Sequence, residues 1–256
     1  MTGKKNAGFI VFLLALLCVS CSGKEKTGKL NLKFTFSVDG EALRTQERIY
    51  TNAAGNSYEV DEVKYFISDI TLLSEELGNY SVRNKNSIHY VDSDIPSTLG
   101  WSIGDPLPAG HYDGIRFTFG LSQDKNTSHL FPNPPESNMA WPSVLGGGYH
   151  YMQINGKWDH QGAITPFNLH TGIGQVYSTD SVVRYVHNHF TVTIPNSSFT
   201  VEKDKIATLV LDMNINNWFS DPQVFDLDIW GGSIMQNQNA QLVLKQNGWN
   251  VFSVKR

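Results

Sequence analysis

The chain has 256 residues with 20 Lys and Arg against 24 Asp and Glu. Without Lys4 and Lys5 of the leader described below, 18 basic residues face 24 acidic ones, a net charge of −6. That balance excludes nucleic acid as a partner on electrostatic grounds. The chain is also long enough to bury a large core in one domain.

The N-terminus reads as a targeting segment. Lys4 and Lys5 precede an apolar run from Phe9 to Val19 and then Ser20 and Cys21, a run too short to cross a bilayer as a helix. It is expected to be a secretory signal at 1–20 of bacterial-lipoprotein type, with Cys21 lipidated. This places the protein at the cell envelope of a Gram-negative bacterium, anchored in the periplasm or outer membrane. Residues 21–29 form the lipidated Cys and a polar tether, and 30–256 form the folded domain. No cysteine follows Cys21, so an exported domain has no disulfide and depends on its core.

From Leu30 onward the recurring signal is period-two alternation rich in Val, Ile, Phe, Tyr and Thr. Strands are predicted at "LNLKFTFSV" from Leu30, "VKYFISDITLL" from Val63, "SIHYVD" from Ser87, "GIRFTFGL" from Gly114, "GYHYMQING" from Gly148 and "FNLHT" from Phe167. Further on come "RYVHNHFTVTI" from Arg184 and "KIATLVLDMNI" from Lys205. Asn247-Gly248 between two alternating runs predicts a closing antiparallel hairpin. Charged residues make up 17% and aromatics 12%, which suits half-buried strands. The expected fold is all-β, a single antiparallel β-sandwich. The Pro-rich "FPNPPESNMAWP" from Phe131 is expected to be a long loop.

Histidines carry the candidate chemistry. In "HNHFTVTI" strand alternation puts His187 and His189 on one face with Thr191 and Thr193, close enough to share an ion. Imidazole is a favoured ligand of copper and zinc. In "GYHYMQI", His150 and Met152 are expected to share a face, a nitrogen and a thioether suited to cuprous copper, although a buried core pair is the better reading of these two residues. In "FNLHTGIG", His170 points away from Phe167 and Leu169, beside glycines that permit close backbone approach. Asp212, Asn214 and Asn216 are oxygen donors without calcium-loop spacing. No nucleophile elbow, phosphate loop, zincin motif or supported carboxylate pair occurs, so a binding protein is expected and an enzyme is not.

The order "FTFGLS" from Phe117, the Pro-rich loop, "MAWPSVLGGGYHYMQINGKW", "FNLHTG" and "LVLDMNINNWF" resembles the MbnP-like family of periplasmic copper-binding proteins across about 30–254. Its landmarks fall on Met139, Trp141, Gly148, Tyr149 and His170. The resemblance implies a secreted β-rich domain that binds copper through histidines, here drawn from His150, His170, His187 and His189. It also implies a di-haem partner enzyme that oxidises a tryptophan two residues before a ligand histidine, a spacing found at Trp158 and His160. The alternative is a metal-free module that recognises a glycan or protein through exposed aromatics, Trp101, Trp141 and Trp218.

Overall fold

The computed structural model describes residues 26–179 and 181–255. Cys21 and the leader lie outside the described residues. Long strands are β1 (Thr27–Val38), β2 (Ser57–Leu73), β3 (Ile88–Asp92), β4 (Gly100–Pro108), β5 (Gly114–Phe119), β6 (Met152–His160) and β7 (Ala163–Thr171). They are followed by β8 (Ile173–Ser178), β9 (Ser181–His187), β10 (Phe190–Thr193), β11 (Ile206–Asn214), the helices α1 (Leu227–Trp230) and α2 (Gln238–Asn247), and β12 (Phe252–Lys255). β1 takes in Thr27–Lys29, which the sequence reading gave to the tether, because Thr27 and Gly28 pair with Pro108 and Leu107.

Two sheets make the sandwich. One runs β12–β11–β1, with β4 also paired to β1; the other runs β7–β6–β2–β5–β10, with β3 also on β2. The all-antiparallel expectation needs one correction: β1 and β11 are parallel, Leu32 opposite Leu209 and Phe34 opposite Leu211. Alternate positions fill the space between the sheets. Leu30, Leu32 and Phe34 meet Val63, Tyr65, Ile67, Ile115, Phe117, Phe119, Ile154, Phe167 and Leu169 in one buried cluster. Each such side chain contributes roughly 1.5–3 kcal/mol by leaving water.

The predicted closing hairpin is a helix followed by a strand. Ala240, Val243, Leu244 and Asn247 are buried, the 3.6-residue period of one helix face, whereas Leu242 is 42% exposed. Asn237 caps the helix by accepting from the Ala240 N–H at 3.1 Å, and Gly248 ends it. Asn-Gly here stops a helix rather than turning a hairpin. β12 then pairs with β11 instead of with the preceding segment.

The long connection 120–151 behaves as its prolines require, carrying only the short turns Glu136–Met139 and Ser143–Leu145. It covers the outer face of the β7–β10 sheet, where Phe66, Tyr90, Leu121, Met139, Tyr149 and Tyr151 form a second buried cluster. Phe131 stacks on Phe66 at 5.4 Å between centroids.

Candidate metal centre

β6 and β7 are joined by the two-residue turn Gln161–Gly162, both at positive φ (53° and 84°), as a tight hairpin turn demands. That turn fixes the register and puts Gln153 opposite His170. Phe167 and Leu169 enter the core, so His170 stands on the outer face, as alternation predicts. His150 reaches the same place from the loop. Gly146, Gly147 and Gly148 all have positive φ (117°, 71° and 78°), and the turn they make lets Trp141 N–H bond the Gly148 carbonyl at 2.8 Å. The chain after this turn brings His150 against Trp141, ring centroids 4.7 Å apart.

The His150 and His170 rings touch, 5.0 Å between centroids at 87°. His150 Nδ1 lies 2.9 Å from the Met139 carbonyl, which only accepts, so Nδ1 carries the proton and Nε2 keeps its lone pair. His170 Nε2 lies 2.7 Å from Asn155 Oδ1. Asn155 Nδ2 in turn donates to Glu62 Oε1 at 2.5 Å, an orientation that makes Oδ1 an acceptor and His170 Nε2 a donor. The free lone pair of His170 is therefore on Nδ1. Burial lowers the pKa of His150 to about 4; burial and then the neighbouring His150 lower that of His170 to about 4. Both rings are neutral at pH 7, the state that binds metal.

A metal–imidazole bond of about 2.0 Å puts each ring centroid roughly 3.2 Å from a shared ion. At the observed 5.0 Å separation, the two rings would meet such an ion at roughly 100°. Two imidazole nitrogens at such a near-tetrahedral angle suit copper or zinc, with further ligands completing the shell. Among the described residues no group of three His, Cys, Asp or Glu side chains stands ready to hold a metal ion.

The four candidate histidines form two pairs with different surroundings. His187 and His189 have centroids 6.1 Å apart at 53°, but they do not sit on one strand. β9 ends at His187, opposite Ile173 of β8, and β10 begins at Phe190, opposite Phe119 of β5. Between them Asn188 is buried, donating to the Gly172 carbonyl and to Gln241 Oε1, and that anchor redirects the chain from one sheet to another. Burial and the Lys245 charge lower the pKa of both rings. His187 Nδ1 is buried without a hydrogen-bond partner, and His189 packs on Tyr151 at 6.0 Å.

Other expectations are placed elsewhere. Met152 is fully buried in the main core, not beside His150, because the strand starts only at Met152 and the segment before it is set by the glycine turn. Trp101, Trp141 and Trp218 are 3%, 3% and 1% exposed, so the exposed platform of the alternative reading is absent at those residues: they fill cores. Asp212 accepts from Thr35, Ser37 and Lys255, and Asn214 caps the turn that follows it. Trp158 and His160 both bond Asp228 Oδ1, at 2.9 and 2.7 Å, near the end of β6 remote from His150. At about 3.3 Å per residue that end is some 25 Å away, too far to share an ion with His150.

Sequence reading missed Asn155, Glu62 and the Met139 carbonyl. The Gln161–Gly162 turn between two alternating runs was the available signal, since it sets the pairing that brings Asn155 beside His170.

The sequence profile of the MbnP family matches residues 27–238. A solved structure described as MbnP from Methylosinus trichosporium superposes with a TM-score of 0.54 at 15% identity, over 79% of this chain and 80% of that one. At that identity the likeness shows a shared fold. No match was found among the curated proteins. With the family profile spanning most of the domain, the chain belongs to the MbnP family.

Proposed function

We propose that this protein binds copper through histidines and captures or buffers it at the cell envelope, anchored by a lipid on Cys21. The observation that carries the reading is the His150–His170 contact, in which each ring has one nitrogen tied to a fixed acceptor. Outer hydrogen bonds of this kind set the tautomer of metal-bound histidines. His187 and His189 are a second pair at a separation compatible with one ion. Membership of the MbnP family supports copper as the cargo. Capture of this kind requires no catalysis.

The test is titration of the purified protein with Cu(I) and Cu(II) against a competing chelator. His150→Ala with His170→Ala should weaken binding by more than the roughly 10–100-fold that loss of an outer-shell partner costs. His187→Ala with His189→Ala should weaken it too while the domain stays folded. Parent-like binding in the first double variant overturns the assignment.

A further inference from the structure

Which nitrogen His170 offers is decided two hydrogen bonds away, on the neighbouring strands. Across the outer face of the sheet, His170, Gln153 and Lys64 are successive Cα partners on β7, β6 and β2, and Asn168, Asn155 and Glu62 form the next rung. A diagonal chain of bonds links the two rungs. Lys64 Nζ lies 2.5 Å from Glu62 Oε2, Asn155 Nδ2 lies 2.5 Å from Glu62 Oε1, and Asn155 Oδ1 faces His170 Nε2 at 2.7 Å.

Every link has one permitted direction. The ammonium only donates and the carboxylate only accepts, so Glu62 must receive from both neighbours. Asn155 then has its NH2 committed to Glu62 and only its oxygen left for the ring. Burial raises the Glu62 pKa, but hydrogen bonds from Lys64 and Asn155 outweigh it and hold the carboxyl below its ordinary value, which keeps Glu62 an acceptor at neutral pH. We propose that Lys64, Glu62 and Asn155 form a positioning relay that holds His170 as the Nε2–H tautomer and so leaves the lone pair of the ring on Nδ1.

The relay makes an asymmetric prediction. Glu62→Gln changes one atom and keeps the shape. Facing the Lys64 ammonium, the glutamine turns its oxygen to lysine and its NH2 to Asn155. Asn155 then rotates to accept from Gln and points its own NH2 at His170, whose Nε2 must become the acceptor. The ring proton moves to Nδ1, and the Nδ1 lone pair disappears.

This rests on His170 being a copper ligand only for its consequence in binding; the tautomer itself is readable without metal. The experiment is nitrogen-detected NMR of histidine-labelled, metal-free protein, with assignment by His170→Gln. The parent should show His170 Nδ1 unprotonated and Nε2 protonated. Glu62→Gln should exchange the two signals and weaken copper by about 10–100-fold. Asn155→Leu, which deletes the acceptor, should give a mixture of tautomers and guards against a folding defect in the first variant. An unprotonated Nε2 in the parent, or unchanged signals in both variants, overturns the relay. Exchanged signals with undiminished copper binding leave the relay standing and remove His170 from the copper site.

Discussion

Acid should unfold this domain well above the range where carboxylates titrate. Burial lowers His150, His170 and His89 from 6.5 to about 4. His89 is held between Phe34 and Trp101, with centroids at 5.1 and 4.9 Å, and faces the Thr98 carbonyl at 2.8 Å. Between pH 4 and 6.5 the unfolded chain binds protons that the folded one refuses, so stability is complete above about 6.5 and declines as pH falls towards 4. At pH 5 each histidine costs about 2 kcal/mol relative to pH 7, and three cost roughly 5–6 kcal/mol. That is a large part of a typical folding free energy.

The assay is urea denaturation of metal-free protein at fixed ionic strength from pH 7.5 to 4.5. The midpoint should fall steadily from about pH 6.5 downward, with proton uptake on unfolding near pH 5. His89→Gln keeps a donor for the Thr98 carbonyl and should remove about a third of the slope. A midpoint that holds constant to pH 5 and then drops would mean that carboxylates carry the acid transition, and would refute the assignment to buried neutral histidines.

Two further tests address the parts of the structure that the copper and tautomer experiments leave aside. In α2, Leu244 is fully buried and Leu242 is 42% exposed; Leu244→Ala should cost about 2–5 kcal/mol, and Leu242→Ala within about 0.5 kcal/mol. Equal losses in chemical denaturation would favour a strand, on which the two leucines share a face. A Cβ at Gly172 would lie 2.6 Å from the Trp141 ring, so Gly172→Ala should displace the indole from His150, cost about 1–3 kcal/mol and change the near-ultraviolet dichroism. An unchanged spectrum would show that the ring has room to spare.

The sequence by itself determined the β class and most of the strands, because alternation of side chains is a local property of an extended backbone. It also set the face of His170, through Phe167 and Leu169, and the course of the Pro-rich connection, whose prolines lack ladder donors. Tertiary structure decided the rest. "AQLVLKQNGW" satisfies a two-residue and a 3.6-residue period at once, and only the apolar surface waiting for Ala240, Val243, Leu244 and Asn247 selects the helix. "VHNHF" has a strand's pattern, yet the bonds of Asn188 to Gly172 and Gln241 break it between two sheets. The meeting of His150 with His170 depends on three left-handed glycines and a hairpin register. The tautomer of His170 depends on a carboxylate two hydrogen bonds away on another strand. Contacts between residues distant in the chain cost loop entropy and are selected by the whole core, so no local stretch encodes them.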